Sequence, residues 1–481
     1  MAAPMYKSTI DARSINMSEK EDSFVASASS LPSSASTASS SPHHILPQEQ
    51  QFLEMYFTAL SHFAYDRFKE LLDQEKEAIR SQPGNLWTSL VNALSVLASA
   101  EKTYMHLVFF EQKWFARAQS GKWLFSSAMS DVRRVELRGK EVGHPGSNPE
   151  DRLLSHLCEQ LVHFIEARQE MMDLYEKLCY LGSQKADINV SDLSVAVASV
   201  ISRHAKQFHH PILSSIRSNL SLELETLHAL LKALVHLAEF SFLPALLSLN
   251  ESQCKLDEWG ASIKLREAKK KLQTMAPGKV TGIPPLMVWY VRFQASQMSK
   301  FSLYFHEMLA KQALPGEMRT HLSSMSIEYY TKIALFQKKS DALNISLVFD
   351  TRGSEGTYKG HGYHHPNSFC EPPKGLDSYP AVFSFPTERP VHLWPNLIML
   401  LPNAESGPID RVVHFYDKTQ QITYYICRVD IKLSLVLIFE AKKSERDTNI
   451  NNFLQEMGQL LRVNKLFASL KQGAKTKALM N

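Results

Sequence analysis

Residues that break regular structure are scarce. Glycine (18) and proline (22) make 40 of 481 residues, about 8% against roughly 12% in average usage, so a helix-rich chain with long uninterrupted segments is the first inference. Cysteine is scarcer. Cys158, Cys179, Cys254, Cys370 and Cys427 are odd in number and lack CxxC or CxxxC spacing, which excludes a disulfide framework and fits reduced thiols acting as small buried hydrophobes. Apolar runs such as Leu397–Leu401 and Leu435–Phe439 fall far short of the roughly 18 residues that span a bilayer, so no transmembrane segment is expected. Neither charge dominates: 53 Lys+Arg against 49 Asp+Glu leaves +4, and no general nucleic-acid-binding field follows. No basic, apolar-cored leader opens the sequence, and Glu19, Glu21 and Asp22 argue against a mitochondrial presequence. A cytosolic protein, docked onto an organelle from outside, is the expectation. GxSxG, HExxH and CGxCW-like strings are all missing, so the chain lacks the minimum parts of a serine, zinc or thiol hydrolase and is not expected to be an enzyme.

At roughly 150 residues per domain, the length suits two or three domains. Residues 1–45 include the Ser/Ala run Ser23–Pro42 and read as a disordered tail, either an inert linker or a phosphorylated regulatory segment. Residues 46–275 follow a helical period. Leu53, Phe57, Leu60, Ala64, Phe68 and Leu71 predict one helix of about eight turns, broken at Gln82–Asn85, and Leu90 to Val108 continue the pattern. Residues 120–149 mix charge with Gly and Pro and read as a long connection. Leu154 to Leu178 and the heptad-like Leu220, Leu224, Leu227, Leu231 and Leu234 complete four long helices, a bundle. Within 283–470, helices over 285–338 precede β-rich runs at Asn344–Asp350, Tyr379–Phe385, Asn396–Leu401, Arg411–Tyr416, Ile422–Val429 and Lys432–Phe439. A helix over 448–467, capped by Asp447 or Thr448, and a basic tail at 471–481 close the chain. The fold class is α+β: a long-helix bundle followed by a mostly antiparallel sheet flanked by helices.

The loudest local chemistry is Gly360–Pro366 with Cys370. His361, His364, His365 and Cys370 could assemble a zinc site, the basis of an alternative metal-binding enzyme or sensor; the spacing fits no closed structural pattern, and a hydrogen-bonded loop against the sheet is the competing reading. Lys359 is followed by glycine rather than a magnesium-holding hydroxyl, so the nearby glycines do not make a phosphate loop. His209 and His210 stand where a helix ends and can meet its last carbonyls. Lys269–Lys271, Lys442–Lys443 and Lys471, Lys475 and Lys477 are solvated faces or contacts for anionic lipid. Asn344 fits a glycosylation sequon but lies in an expected strand. Trp289, Tyr290, Tyr329, Tyr330 and Trp394 are candidate partner anchors, against a core role for each.

Several strings are more idiosyncratic than any of these patterns. Phe208–Ser214 (FHHPILS), Gly360–Pro366 (GHGYHHP), Arg389–Asn396 (RPVHLWPN), Val412–Asp417 (VVHFYD), Phe439–Asp447 (FEAKKSERD) and Phe467–Lys475 (FASLKQGAK) closely resemble the KICSTOR subunit 2 family, from about Gln48 to Lys475. The resemblance implies a roadblock- or longin-like C-terminal domain and a non-catalytic scaffold subunit with no cofactor. It further implies other KICSTOR subunits and the GATOR complex 1 as partners, peripheral association with the lysosomal surface, and restraint of mTOR complex 1 in amino-acid or glucose starvation. The Ser-rich tail and the stretch around Lys122–Asn148 depart from the family pattern.

Overall fold

Helix dominates the computed structural model, which describes residues 47–80, 85–110, 121–141, 149–183, 189–261, 283–353, 358–359, 364–365, 367–369, 371, 373–409 and 411–472. The expected tail 1–45, all but the first two residues of the expected tail 471–481, and Lys269–Lys271 lie outside these residues; Lys471 and Gln472 belong to a helix. The first helical stretch is two helices rather than one, α1 (Pro47–Ser61) and α2 (Tyr65–Ala78). Phe63 adopts φ +54° and closes α1 with bonds from its own N–H to Leu60 O and from Ala64 N–H to Ala59 O. A left-handed residue costs about 1 kcal/mol, and no glycine announced it in the sequence.

Next come α3 (Leu86–Met105), α4 (Gly121–Glu141), α5 (Pro149–Gly182), α6 (Val190–His204), α7 (Ser214–Ala238) and α8 (Phe242–Gly260). Helix α4 corrects the long connection expected over 120–149. Phe125, Ala128, Val132 and Val135 are buried at steps of three and four, a stripe too thin among charges to stand out. The break near Pro244 falls at Phe240 (φ +57°), whose ring packs 4.7 Å from Phe305 and 4.9 Å from Phe349; Pro244 is tolerated in the first turn of α8.

Helices α9 (Pro285–Tyr304), α10 (His306–Ala310), α11 (Pro315–Ser323) and α12 (Tyr329–Ser340) lead into the sheet. Its strands are β1 (Asn344–Phe349), β2 (Ala381–Phe385), β3 (Val412–Asp417), β4 (Ile422–Arg428) and β5 (Leu433–Phe439), ordered β2-β1-β5-β4-β3 and antiparallel throughout. The run Asn396–Leu401, expected as a strand, instead lies in helix α13 (Trp394–Glu405). Pro395 starts that helix, and Trp394, Leu397, Leu401 and Ala404 bury one face on the sheet; a six-residue apolar window cannot separate the two periods. Helices α14 (Thr448–Leu461) and α15 (Asn464–Gln472) end the described chain, α14 being capped by Asp447 Oδ1, which accepts the N–H groups of Asn449 and Ile450.

Both sheet faces are covered, which is why β5 is apolar at nearly every position. Ile345, Leu347, Leu435 and Leu437 face α9, α12 and α14, while Val436, Ile438, Tyr424 and Ile426 face α13. Helix α9 serves two cores: Met287, Trp289, Tyr290 and Phe293 enter the bundle, and Phe301, Leu303 and Tyr304 enter the sheet core. The last helix returns to the bundle, where Phe467 and Leu470 are buried.

Candidate interaction site

The structure places the expected aromatic anchors inside the chain. Tyr290 and Trp394 are fully buried, Trp289 and Tyr329 nearly so, and Tyr330 is half-buried against the His306 ring at 5.4 Å. Trp289 Nε1 donates to Leu466 O at 3.0 Å and thereby ties α9 to α15. Trp394 Nε1 donates to Tyr379 O at 2.8 Å beneath α13. In this chain all of these contacts are packing.

His361 and Cys370 lie outside the described residues. His364 and His365 are exposed, and His365 organises a turn: its Nδ1 accepts the Asn367 N–H, and its carbonyl accepts Ser368 N–H, Ser368 Oγ and Lys359 Nζ. Tyr358, next to that lysine, packs 5.8 Å from Phe349. Among the described residues no group of three or more His, Cys, Asp or Glu side chains could hold a metal ion. His209 and His210 act at the start of the next helix rather than at the end of the previous one. Their N–H groups donate to Gln160 Oε1 at 2.7 and 2.6 Å, and His210 Nδ1 accepts from Ile212 N–H. Burial and the neighbouring His156 and His209 lower the His210 pKa. Asn344 is buried, donating to Ser384 Oγ at 2.9 Å, so its sequon faces no solvent. The Cys158 thiol is pushed up to about 12, chiefly by burial. Lys443 reaches Ser340 O at 3.4 Å, and Lys442 lies over the Tyr416 ring at 5.6 Å.

Two buried ionic assemblies escaped the sequence reading. In the bundle, Arg168 on α5 donates from Nε and Nη2 to Glu101 on α3 at 2.8 and 3.1 Å, and from Nη1 to Glu223 on α7 at 2.5 Å. Tyr104 and Tyr175 donate to Glu223, and Tyr175 meets the Tyr290 hydroxyl at 2.7 Å. Burial raises all three tyrosine pKa values, so these hydroxyls keep their protons. The signal was available: Glu101 follows Leu94 and Leu97 at helical spacing, and Glu223 sits among Leu220, Leu224 and Leu227. At the sheet, Lys300 on α9 pairs with Asp430 at 2.7 Å, and Tyr304 donates to the same carboxylate. With only 1% of the Lys300 side chain exposed, this pair locks α9 to the β4–β5 turn.

What remains for partners is the outer surface. Large apolar side chains exposed there include Phe369 (88%), Met399 (78%) on α13 and Phe415 (42%) on edge strand β3. Among the described residues no helix is long and apolar enough to cross a membrane.

Two relatives of the chain match it over nearly their whole length and are named for an assembly. A family model described as "KICSTOR complex C12orf66 like" matches residues 42–475. The zebrafish (Danio rerio) protein named KICSTOR subunit 2 is 43% identical over 440 residues, which cover 89% of this chain and 97% of its own. That of Xenopus laevis, with the same name, is 41% identical over 436 residues, again 89% and 97%. A match that runs from before α1 to beyond α15 takes in both the helical bundle and the sheet, and the chain belongs to the KICSTOR C12orf66-like family.

Proposed function

We propose that this chain is a non-catalytic scaffold subunit of a KICSTOR complex. In that role it helps bring the GATOR complex 1 to the lysosomal surface and restrains mTOR complex 1 during amino-acid or glucose starvation. It works on the cytoplasmic side of that membrane, held by partners. The observation that carries the reading is the near end-to-end match to two proteins named KICSTOR subunit 2. A roadblock- or longin-like reading of the sheet region is supported by its element order, two strands, α13, three strands and α14. Interiors filled by aromatic packing and closed ion pairs suit a rigid body that presents surfaces.

In cells lacking this chain, lysosomal GATOR complex 1 should fall and mTOR complex 1 should stay active in starvation, with both reversed by the full chain. Normal recruitment and silencing without it would contradict the proposal.

A further inference from the structure

The connection between α6 and α7, residues 205–213, follows α5 towards its start: Phe208 meets Phe164, and His209 and His210 meet Gln160. Three imidazoles gather there. The ring of His156 on α5 lies 6.4 Å from that of His209 and 6.0 Å from that of His210. Gln160, only 2% exposed, holds the connection, its Oε1 accepting both backbone N–H groups, and this fixes which way the amide points. Gln160 Nε2 is therefore the donor in its 2.9 Å contact with His156 Nε2, and that ring nitrogen carries no proton. His210 is constrained alike. Its Nδ1 accepts the Ile212 N–H at 3.3 Å and caps the single 3₁₀ turn Pro211–Leu213. Two of the three rings thus make bonds open only to the neutral imidazole.

A proton on His156 Nε2 sets two N–H groups against each other. Turning the Gln160 amide over relieves that contact but aims its NH2 at the two backbone donors, so either way bonds to the connection are lost. A proton on His210 Nδ1 removes the cap, and burial, with His156 and His209 beside it, lowers the pKa of this ring from the ordinary 6.5. The stability that such a ring gives is complete above the ordinary value and is lost as pH falls below it. The surrounding charges do not restore the lost acceptors. Glu159 Oε2 lies 3.7 Å from His156 Nδ1, on the far side of the ring from Gln160, and its Oε1 lies 3.8 Å from Lys140 of α4. From α7, Arg217 donates to Ala205 O at 3.3 Å, and Lys206 of the connection is exposed. Helix α1 ends in the uncharged turn Thr58–Ser61, followed by the exposed His62.

We propose that residues 205–213 form an acid-released latch: protonation of His156 and His210 frees the connection from Gln160 and uncovers Phe208, while the helices on either side stay in place. Phe208 is 2% exposed, its ring 6.1 Å from that of Phe164, so release presents an aromatic side chain that is hidden at neutral pH. Ties that do not use a neutral imidazole hold both ends. Arg203 at the end of α6 pairs with Glu170 of α5 at 2.5 Å, and His204 Nε2 lies 3.5 Å from the same carboxylate. At the start of α7, Asn219 donates to Ser61 O at 2.5 Å, and Leu213 is fully buried.

Hydrogen exchange of the purified full chain, taken relative to the intrinsic rate at each pH, reads the latch directly. Between about pH 7.5 and about pH 5, protection over 205–213 should fall about tenfold or more, with the β5 amides unchanged. Gln160→Glu/His210→Asn should abolish the response. Its carboxylate accepts both backbone N–H groups and a protonated His156 as well, and asparagine caps the 3₁₀ turn at any pH. Should that chain melt lower than the unaltered one at neutral pH, His156→Leu/His210→Asn carries the same test, because neither titrating ring remains. Equal protection of the unaltered chain at the two pH values would overturn the proposal. So would a loss shared by β5, which is global acid unfolding, or a loss of full size in the variant without the two rings.

Discussion

Arg168 stands between two carboxylates in a site with almost no exposed surface, so the buried charge does not balance unless a proton is held there. Burial raises the Glu101 pKa above its ordinary 4.5, with Arg168 opposing and Glu223 adding to the shift. Native Glu101 thus binds its proton more tightly than the unfolded chain does. The stability this gives is complete below the ordinary value and is lost as pH rises through the raised native one. Urea midpoints followed upward from that ordinary value should fall more steeply for the unaltered chain than for Glu101→Gln; parallel slopes would place the proton elsewhere. Arg168→Met should cost about 3–5 kcal/mol by stranding two carboxylates, and Glu101→Gln less, because a one-to-one pair survives. At this scale the sequence was only partly readable. A charge on an apolar helical stripe is visible in Glu101 and Glu223, but its partner 67 or 55 residues away is set by packing.

Elements were legible where one period ran long and illegible where it was short or diluted. The Leu220–Leu234 seam lies in α7, and Leu227 is fully buried; Leu227→Asp should lower stability by several kcal/mol, read from a thermal melt. The α14 stripe and its Asp447 cap were likewise readable, and Asp447→Ala should cost about 1 kcal/mol. The split between α1 and α2 was not, because the left-handed turn uses Phe63 instead of glycine. Nor was α13, whose apolar run fits either period until the sheet beneath it selects one face. The return of α15 to the bundle depends on Gly182, where an added Cβ would lie 2.5 Å from Ala468 N and 2.7 Å from Asn464 O, both backbone atoms. Gly182→Ala should push α15 off α5, seen as faster hydrogen exchange over 464–472 with the β5 amides unchanged. Unchanged exchange in α15 would mean that the end of α5 yields instead.

For the whole molecule, α9 is the hinge-less link: its first half is bundle core, its second half is sheet core, and Lys300 fixes it to Asp430. The candidate anchors Trp289, Tyr290 and Trp394 were chosen for residue type, and their burial was hidden because an aromatic on a helical stripe looks alike whether it meets its own fold or a partner. The edge strand β3 was readable as a strand, but its place at the edge came from topology. A rigid two-core body from a family named for a complex should act by being bound. The most direct measurement is affinity purification of the tagged full chain from cells, with mass spectrometry of what accompanies it. The account predicts the other KICSTOR subunits in a fixed ratio to the chain, and recovery of the chain without any of them would contradict it.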